Sequence, residues 1–169
     1  MKMSIRKGTW ETNSSSTHAM VIKKETPLNL PKEIHFSLGQ FGWEADKDNS
    51  TYMKASYLYT ALYELYKYKN DFIYLAKHMQ RIEEILKENN IRTTWQTIDT
   101  NEYYYIDHGY NLAEFIEKLL DNKQLLLSWL FDDESFLVTD NDNDGCEYLD
   151  KHTNKYINNN DFYFYYKGK

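Results

Sequence analysis

Cysteine is almost absent from this sequence, and the scarcity excludes whole classes of protein. The one thiol, Cys146, leaves no internal disulfide. His35, His78, His108 and His152 are scattered without zinc-ligand spacing. Proline stops at two residues, Pro27 and Pro31, and glycine at six. There is no glycine-rich phosphate loop, Walker pattern or Gly-x-Ser-x-Gly elbow, so an ATP-driven role is not expected. Long apolar runs are missing too. The nearest, "LLLSWLF" at 125 to 131, falls far short of the ~20 residues of a membrane span. The opening "MKMSIRKGTW" lacks the apolar stretch of a signal peptide. These absences predict a cytosolic protein with no membrane partner, no metal and no cofactor, in which the Asn-x-Ser/Thr triplets at Asn13 and Asn49 carry no glycosylation meaning.

What the chain has in quantity is tyrosine. Aromatic residues make up 17 % of 169, with 16 Tyr and 8 Phe, ample for a core despite a mean hydropathy of -0.78. A single domain over 1–169 is the expectation at this length. The net charge of -6 hides an asymmetry. Residues 1 to 32 hold six Lys/Arg against two acids, whereas 124 to 150 hold eight acids and no Lys or Arg. A phosphate-bearing ligand suits the first region and a basic protein surface the second, although opposite charges at two ends also simply keep a domain soluble.

The pattern along the chain predicts α+β: a mostly antiparallel sheet of N- and C-terminal strands, with a central helical block packed on one face. "HAMVIKK" and "EIHFSL" read as two strands that pair through the "PLNLP" connector. Residues 39 to 50 read as a loop ending in an N-cap at Asn49 or Ser50, followed by a helix over 52–69 with Leu58, Ala61, Leu62 and Leu65 on one face. A second helix starts near Asp71 and ends at Asn89-Asn90, and "IRTTWQTI" reads as a strand. Asn111 with Glu114 resembles a capping box ahead of a third helix, and a short helix through "QLLLSWLF" follows. "ESFLVTD", Asp144-Gly145 and "CEYL" predict a hairpin, and "DFYFYYK" a final strand.

Against this frame "RKGTWETNSSSTH", Arg6 to His18, stands out, because it runs polar side chains straight into the buried strand "AMVI". Buried polar groups are costly unless paired. A local turn with hydroxyls bonded to backbone is one explanation. The string Gly8-Thr9-Trp10-Glu11-Thr12-Asn13-Ser14-Ser15-Ser16-Thr17-His18 resembles the N-terminal signature Gly-x-aromatic-Glu-Thr-Asn-Ser-Ser-Ser-x-His of small proteins from Gram-positive bacteria and their phages. The resemblance covers about the first tenth of the chain. It implies a polar cluster at a functional site and an origin on a phage or mobile element, and it supplies no reaction.

His18 is the one residue there of a type that can exchange a proton near neutral pH, Arg6 can hold a phosphate bidentately, and Ser, Thr and Asn donors can complete a cradle. RNA carries its own nucleophile, so a metal-free ribonuclease needs only a base, an acid and a cation. The expected site therefore takes His18, Ser14, Ser16 and His108 as catalytic candidates, with Arg6, Glu11, Thr12, Asn13 and Ser15 holding RNA. Tyr103, Tyr104, Tyr105 and Tyr110 around His108 suit stacking on unpaired bases. A serine nucleophile, Ser14 or Ser16 activated by His18 with Glu11 orienting it, is a weaker alternative. "DNDNDGCEYLDK" opens like a calcium loop, but its twelfth position is Lys151. The expected function is an accessory protein acting against a host nucleic-acid-guided defence of the CRISPR kind by binding and cleaving RNA. The rival is a non-enzymatic inhibitor whose acidic 132–150 segment mimics nucleic acid and occupies a basic groove on a host nucleic-acid-binding protein complex. A third reading makes the cluster a purely structural knot.

Overall fold

In a computed structural model, residues 16–24, 27–42, 46–107, 112–141 and 160–167 are described. The main sheet is antiparallel and four-stranded. Its members are β1 (Ser16–Lys23), β4 (Asp46–Asp48), β7 (Phe136–Asn141) and β8 (Phe162–Lys167), in the order β4-β7-β1-β8. The first described strand thus lies between the last two. Side chains alternate along β1. Met20 and Ile22 enter the main core under the helices, while Ala19 and Val21 join Phe136, Val138 and Phe162 in a second small cluster. The expected α+β architecture, with terminal strands forming the sheet and helices between, is what the chain adopts.

One strand pairing differs from the expectation. Both edges of β1 are taken, by β7 with Val21 opposite Phe136 and by β8 with Val21 opposite Phe164, so "EIHFSL" has nowhere to join it. Instead β2 (Glu33–Phe36) runs parallel to β5 (Arg92–Trp95). Parallel neighbours need a long crossover. Here it contains α1 (Thr51–Lys69) and α2 (Phe72–Glu88). The pair is tied by Phe36 stacked on Trp95 at 4.2 Å, by His35 Nδ1 with Thr94 Oγ1 at 2.9 Å, and by the Arg92 to Glu33 ion pair. The segment read as a loop also holds strands: β3 (Gln40–Phe41), parallel to β6 (Tyr105–Ile106), and β4 at the sheet edge.

The helices begin where their caps predict. Ser50 Oγ accepts from Met53 N–H at 3.3 Å and Asp71 Oδ1 from Tyr74 N–H at 3.0 Å. Between them Asn70 turns left-handed, φ 51°, and its N–H closes on the Tyr66 carbonyl. α3 (Leu112–Asp121) and α4 (Lys123–Phe131) follow, α4 capped by Asn122. Asn111, Asp144-Gly145 and "CEYL" lie outside the described residues. α1 departs from the expectation of a single apolar face: every residue from Lys54 to Leu62 is buried. It touches α2, α3, α4, β2, β6 and β7, which makes it the central helix, covered on all sides from Lys54 to Leu62.

Candidate functional site

The helix-facing side of β1 reads Ile22, Met20, His18 toward the strand's N-terminal end, so the core's apolar row turns polar at His18. His18 is fully buried. Opposite it across the sheet stand Thr139 on β7, itself buried, and Lys167 on β8, and Thr139 in turn pairs with Asp46 on β4. Two register positions further out, Ser16 pairs with Asn141.

Among the described residues, Tyr57 and Gly42 meet the imidazole. His18 Nδ1 lies 3.0 Å from the Tyr57 hydroxyl, and Nε2 lies 3.3 Å from the Gly42 carbonyl. A carbonyl only accepts, so Nε2 carries a hydrogen and donates it to Gly42. A hydroxyl both donates and accepts. When Nδ1 is bare, Tyr57 O–H donates to it; when Nδ1 carries a proton, it donates to Tyr57 Oη. The pocket therefore accommodates the imidazole in either protonation state without losing a contact.

Tyr57 is held by its neighbours. Its ring meets Phe41 edge-on at 5.0 Å and Phe115 at 6.4 Å, and Phe115 meets Trp129 at 5.4 Å. Phe41 belongs to β3, which ends one residue before the Gly42 carbonyl. The same small strand thus fixes one partner of His18 and buttresses the other. Aromatic edge-to-face contacts of this kind contribute about 0.5–1.5 kcal/mol each beyond burial.

One turn before Tyr57, the fully buried Lys54 donates from Nζ to the Asp132 carbonyl at 2.7 Å and to the Ser135 carbonyl at 3.0 Å. Burial pushes its amine down to about 8, against the opposing pull of Asp132, Asp133 and Asp48. The Trp129 indole N–H donates to the Lys54 carbonyl at 3.2 Å. The first two turns of α1 thus meet two buried nitrogen bases, their own Lys54 and His18 of β1, each with oxygen partners. Sequence reasoning missed Tyr57, Gly42 and Lys54. A lone Lys inside "TYMKASYLYTALY" was a usable signal; nothing in the sequence pairs Tyr57 with a histidine 39 positions away.

Of the expected site residues, His18 and Ser16 lie on β1. Arg6, Glu11, Thr12, Asn13, Ser14, Ser15 and His108 lie outside the described residues, as do Tyr110 and His152. Among the tyrosines proposed to stack on bases, Tyr104 is buried, with its hydroxyl receiving the Gln96 amide at 3.1 Å, whereas Tyr103 is 66 % exposed. Asp132, the first acid of the proposed mimic, is buried, its carboxylate accepting from Glu134 N–H at 2.7 Å. Asp133 and Glu134 are exposed, and residues 142 to 150 lie outside the described residues. Asp140 and Asn141 pair with Thr17 and Ser16 inside β7, so the calcium-like string opens within a strand. Among the described residues no group of three or more His, Cys, Asp or Glu is placed to hold a metal ion, and no helix is long and apolar enough to cross a membrane.

Compared with family models, curated proteins and solved structures, the chain matches none of them.

Proposed function

We propose that this chain is a phage or mobile-element accessory protein directed against a host nucleic-acid-guided defence, and that it binds and cleaves RNA without metal at the Arg6 to His18 stretch. The observation that supports the reading is the setting of His18, with Nε2 anchored on a fixed acceptor and Nδ1 on a hydroxyl that can reverse its role. A general acid–base group has to change protonation state twice per turnover, and a hydroxyl partner that keeps its contact in both states suits that task. In this reading Nδ1, with Nε2 given to the Gly42 carbonyl, takes the proton of the ribose 2′-OH through the Tyr57 hydroxyl and the signature hydroxyls as that oxygen attacks phosphorus. It then returns the proton to the departing 5′ oxygen. Arg6 and Asn13 hold the phosphate, and His108 is the reserve second base. In this reading the stretch leads into β1, where His18 meets its reversible partner Tyr57.

The test is incubation of the full chain with structured RNAs, including a CRISPR guide, in EDTA, beside His18→Gln and Tyr57→Phe, with thermal melts to confirm folding. Discrete fragments ending in 2′,3′-cyclic phosphate, lost in His18→Gln while its melt stays cooperative, are expected. Intact RNA in every lane overturns cleavage and directs attention to pull-downs with Asp140, Asp142 and Asp144 reversed to Lys, the experiment that isolates the acidic-mimic rival.

A further inference from the structure

A cleft of about 460 Å³ opens between the end of β1, β8, α3 and the start of α4. Its volume lies within the range of small-molecule sites. Lys24, Lys118, Tyr163, Asn122, Gln124 and Ser128 line it. Both lysines are exposed and have no carboxylate partner among the described residues, unlike neighbouring Lys23, which meets Glu134 at 3.9 Å and Asp161 at 4.0 Å. Lys24 is steadied at the rim, its Nζ donating to the Asn160 carbonyl at 3.1 Å. Lys118 Nζ stands 5.8 Å from the centre of the Tyr163 ring.

Two further features point to a ligand. Ser128 is fully buried, and its hydroxyl has no hydrogen-bond partner among the described residues. Such an orphan costs about 1–3 kcal/mol, and a polar atom in the cleft relieves it. The first turn of α4 also opens here. Asn122 Oδ1 already caps Leu125 N–H at 3.1 Å, while the N–H groups of Lys123 and Gln124, as the first two of the helix, have no acceptor within it and favour an anion. Burial and nearby Glu114 push the Tyr163 phenol upward, so the ring presents a neutral aromatic face at neutral pH.

We propose that this cleft binds a nucleoside monophosphate. The phosphate lies between Lys24, Lys118 and the α4 first turn, where ammonium groups and helix N–H donors meet anionic oxygens. The base lies along Tyr163, where the side-chain amides of Asn122 and Gln124 offer both donors and acceptors to its edge. The Ser128 hydroxyl takes a polar atom of the ligand at the base of the cleft. The site is independent of the signature stretch, and its occupancy does not rest on RNA cleavage.

Titration calorimetry of the full chain at low salt with AMP, GMP, CMP and UMP, their nucleosides and inorganic phosphate tests the assignment. At least one nucleotide is expected to bind one to one, about tenfold tighter than its nucleoside. Lys118→Gln, at an exposed position, weakens it about tenfold, and Ser128→Ala weakens it severalfold without lowering Tm. The absence of binding by all four nucleotides at millimolar concentration overturns the proposal, and so does binding that both variants leave unchanged. A short RNA bearing a 5′-phosphate that binds more tightly than every mononucleotide, and loses affinity in Lys118→Gln, overturns the nucleotide as occupant.

Discussion

Raising the pH should stabilise this protein through one residue. Lys54 is fully buried, and its amine titrates near 8 rather than 10.5. Its Nζ has two acceptors, the carbonyls of Asp132 and Ser135. A neutral amine has two hydrogens, enough for both; the third proton of the ammonium has no acceptor among the described residues. Below pH 8 the native state carries a buried charge that the unfolded chain hydrates freely. Between 8 and 10.5 the native amine has released its proton and the unfolded one has not, so the unfolded state binds more protons and stability rises with pH. A full shift of this size corresponds to about 3 kcal/mol, and the part gained between pH 7 and pH 9.5 to about 2 kcal/mol.

The upper limit of that window matters, because tyrosines act in the other direction. Burial pushes the phenols of Tyr59, Tyr74 and Tyr163 above their usual value of 10.0. Groups with raised native values contribute stability that is present below that pH and lost as pH climbs through them. Urea unfolding from pH 7 to 9.5 stays below their range. Wild type should gain about 2 kcal/mol across that span, and Lys54→Met, which fills the same space without titrating, should stay flat relative to it. Parallel pH profiles for the two proteins would refute the account of Lys54 as a buried amine carrying an unsatisfied proton.

Two further substitutions probe the frame around His18. A Cβ on Gly39 would sit 2.9 Å from Phe41 Cε2 and 2.9 Å from Ser56 Oγ, so Gly39→Ala should cost about 1–3 kcal/mol in urea unfolding by overpacking, despite the entropy an alanine usually gains. Ser50→Ala removes the hydroxyl that caps α1 at Met53 N–H and should lower stability by about 1 kcal/mol with an unchanged m-value.

The helices were legible because each carries a local signature. Ser50 and Asp71 stand where capping side chains are needed, and α2 repeats its apolar residues from Leu75 through Ile82, Ile85 and Leu86. What the sequence could not show is pairing at a distance. Ile34 and Phe36 alternate correctly for a strand, but nothing local tells β2 to run parallel to β5 across two helices instead of turning back on β1. Strands as short as Gln40–Phe41 and Tyr105–Ile106 have no period to detect. The burial of Lys54 to Leu62 on all sides was hidden for a related reason: Lys54, Ser56 and Thr60 interrupt the apolar pattern, and only their partners make burial tolerable, Thr60 Oγ1 donating to the Ser56 carbonyl at 2.8 Å and accepting from Gly39 N–H at 2.9 Å. The candidate site shares this limit. His18 was visible as a polar intrusion, whereas the Tyr57 hydroxyl and the Gly42 carbonyl that receive it come from elements a sequence pattern does not connect.

Those two partners allow the role of His18 to be separated from its burial. A double-mutant cycle of His18→Leu and Tyr57→Phe measures what the two side chains contribute to each other, since leucine keeps apolar volume and phenylalanine keeps the ring edge against Phe41 and Phe115. Each single change leaves a buried polar group short of one partner, an expected loss of about 1–3 kcal/mol. Removing both side-chain polar groups should cost about 1–2 kcal/mol less than the sum, because neither is then stranded opposite the other. The Gly42 carbonyl still loses its Nε2–H donor in both backgrounds containing leucine, so that term cancels and the coupling reports the 3.0 Å contact alone. Strict additivity would mean that His18 and Tyr57 are neighbours without a working bond. The reversible partner on which proton exchange at His18 depends would then be absent.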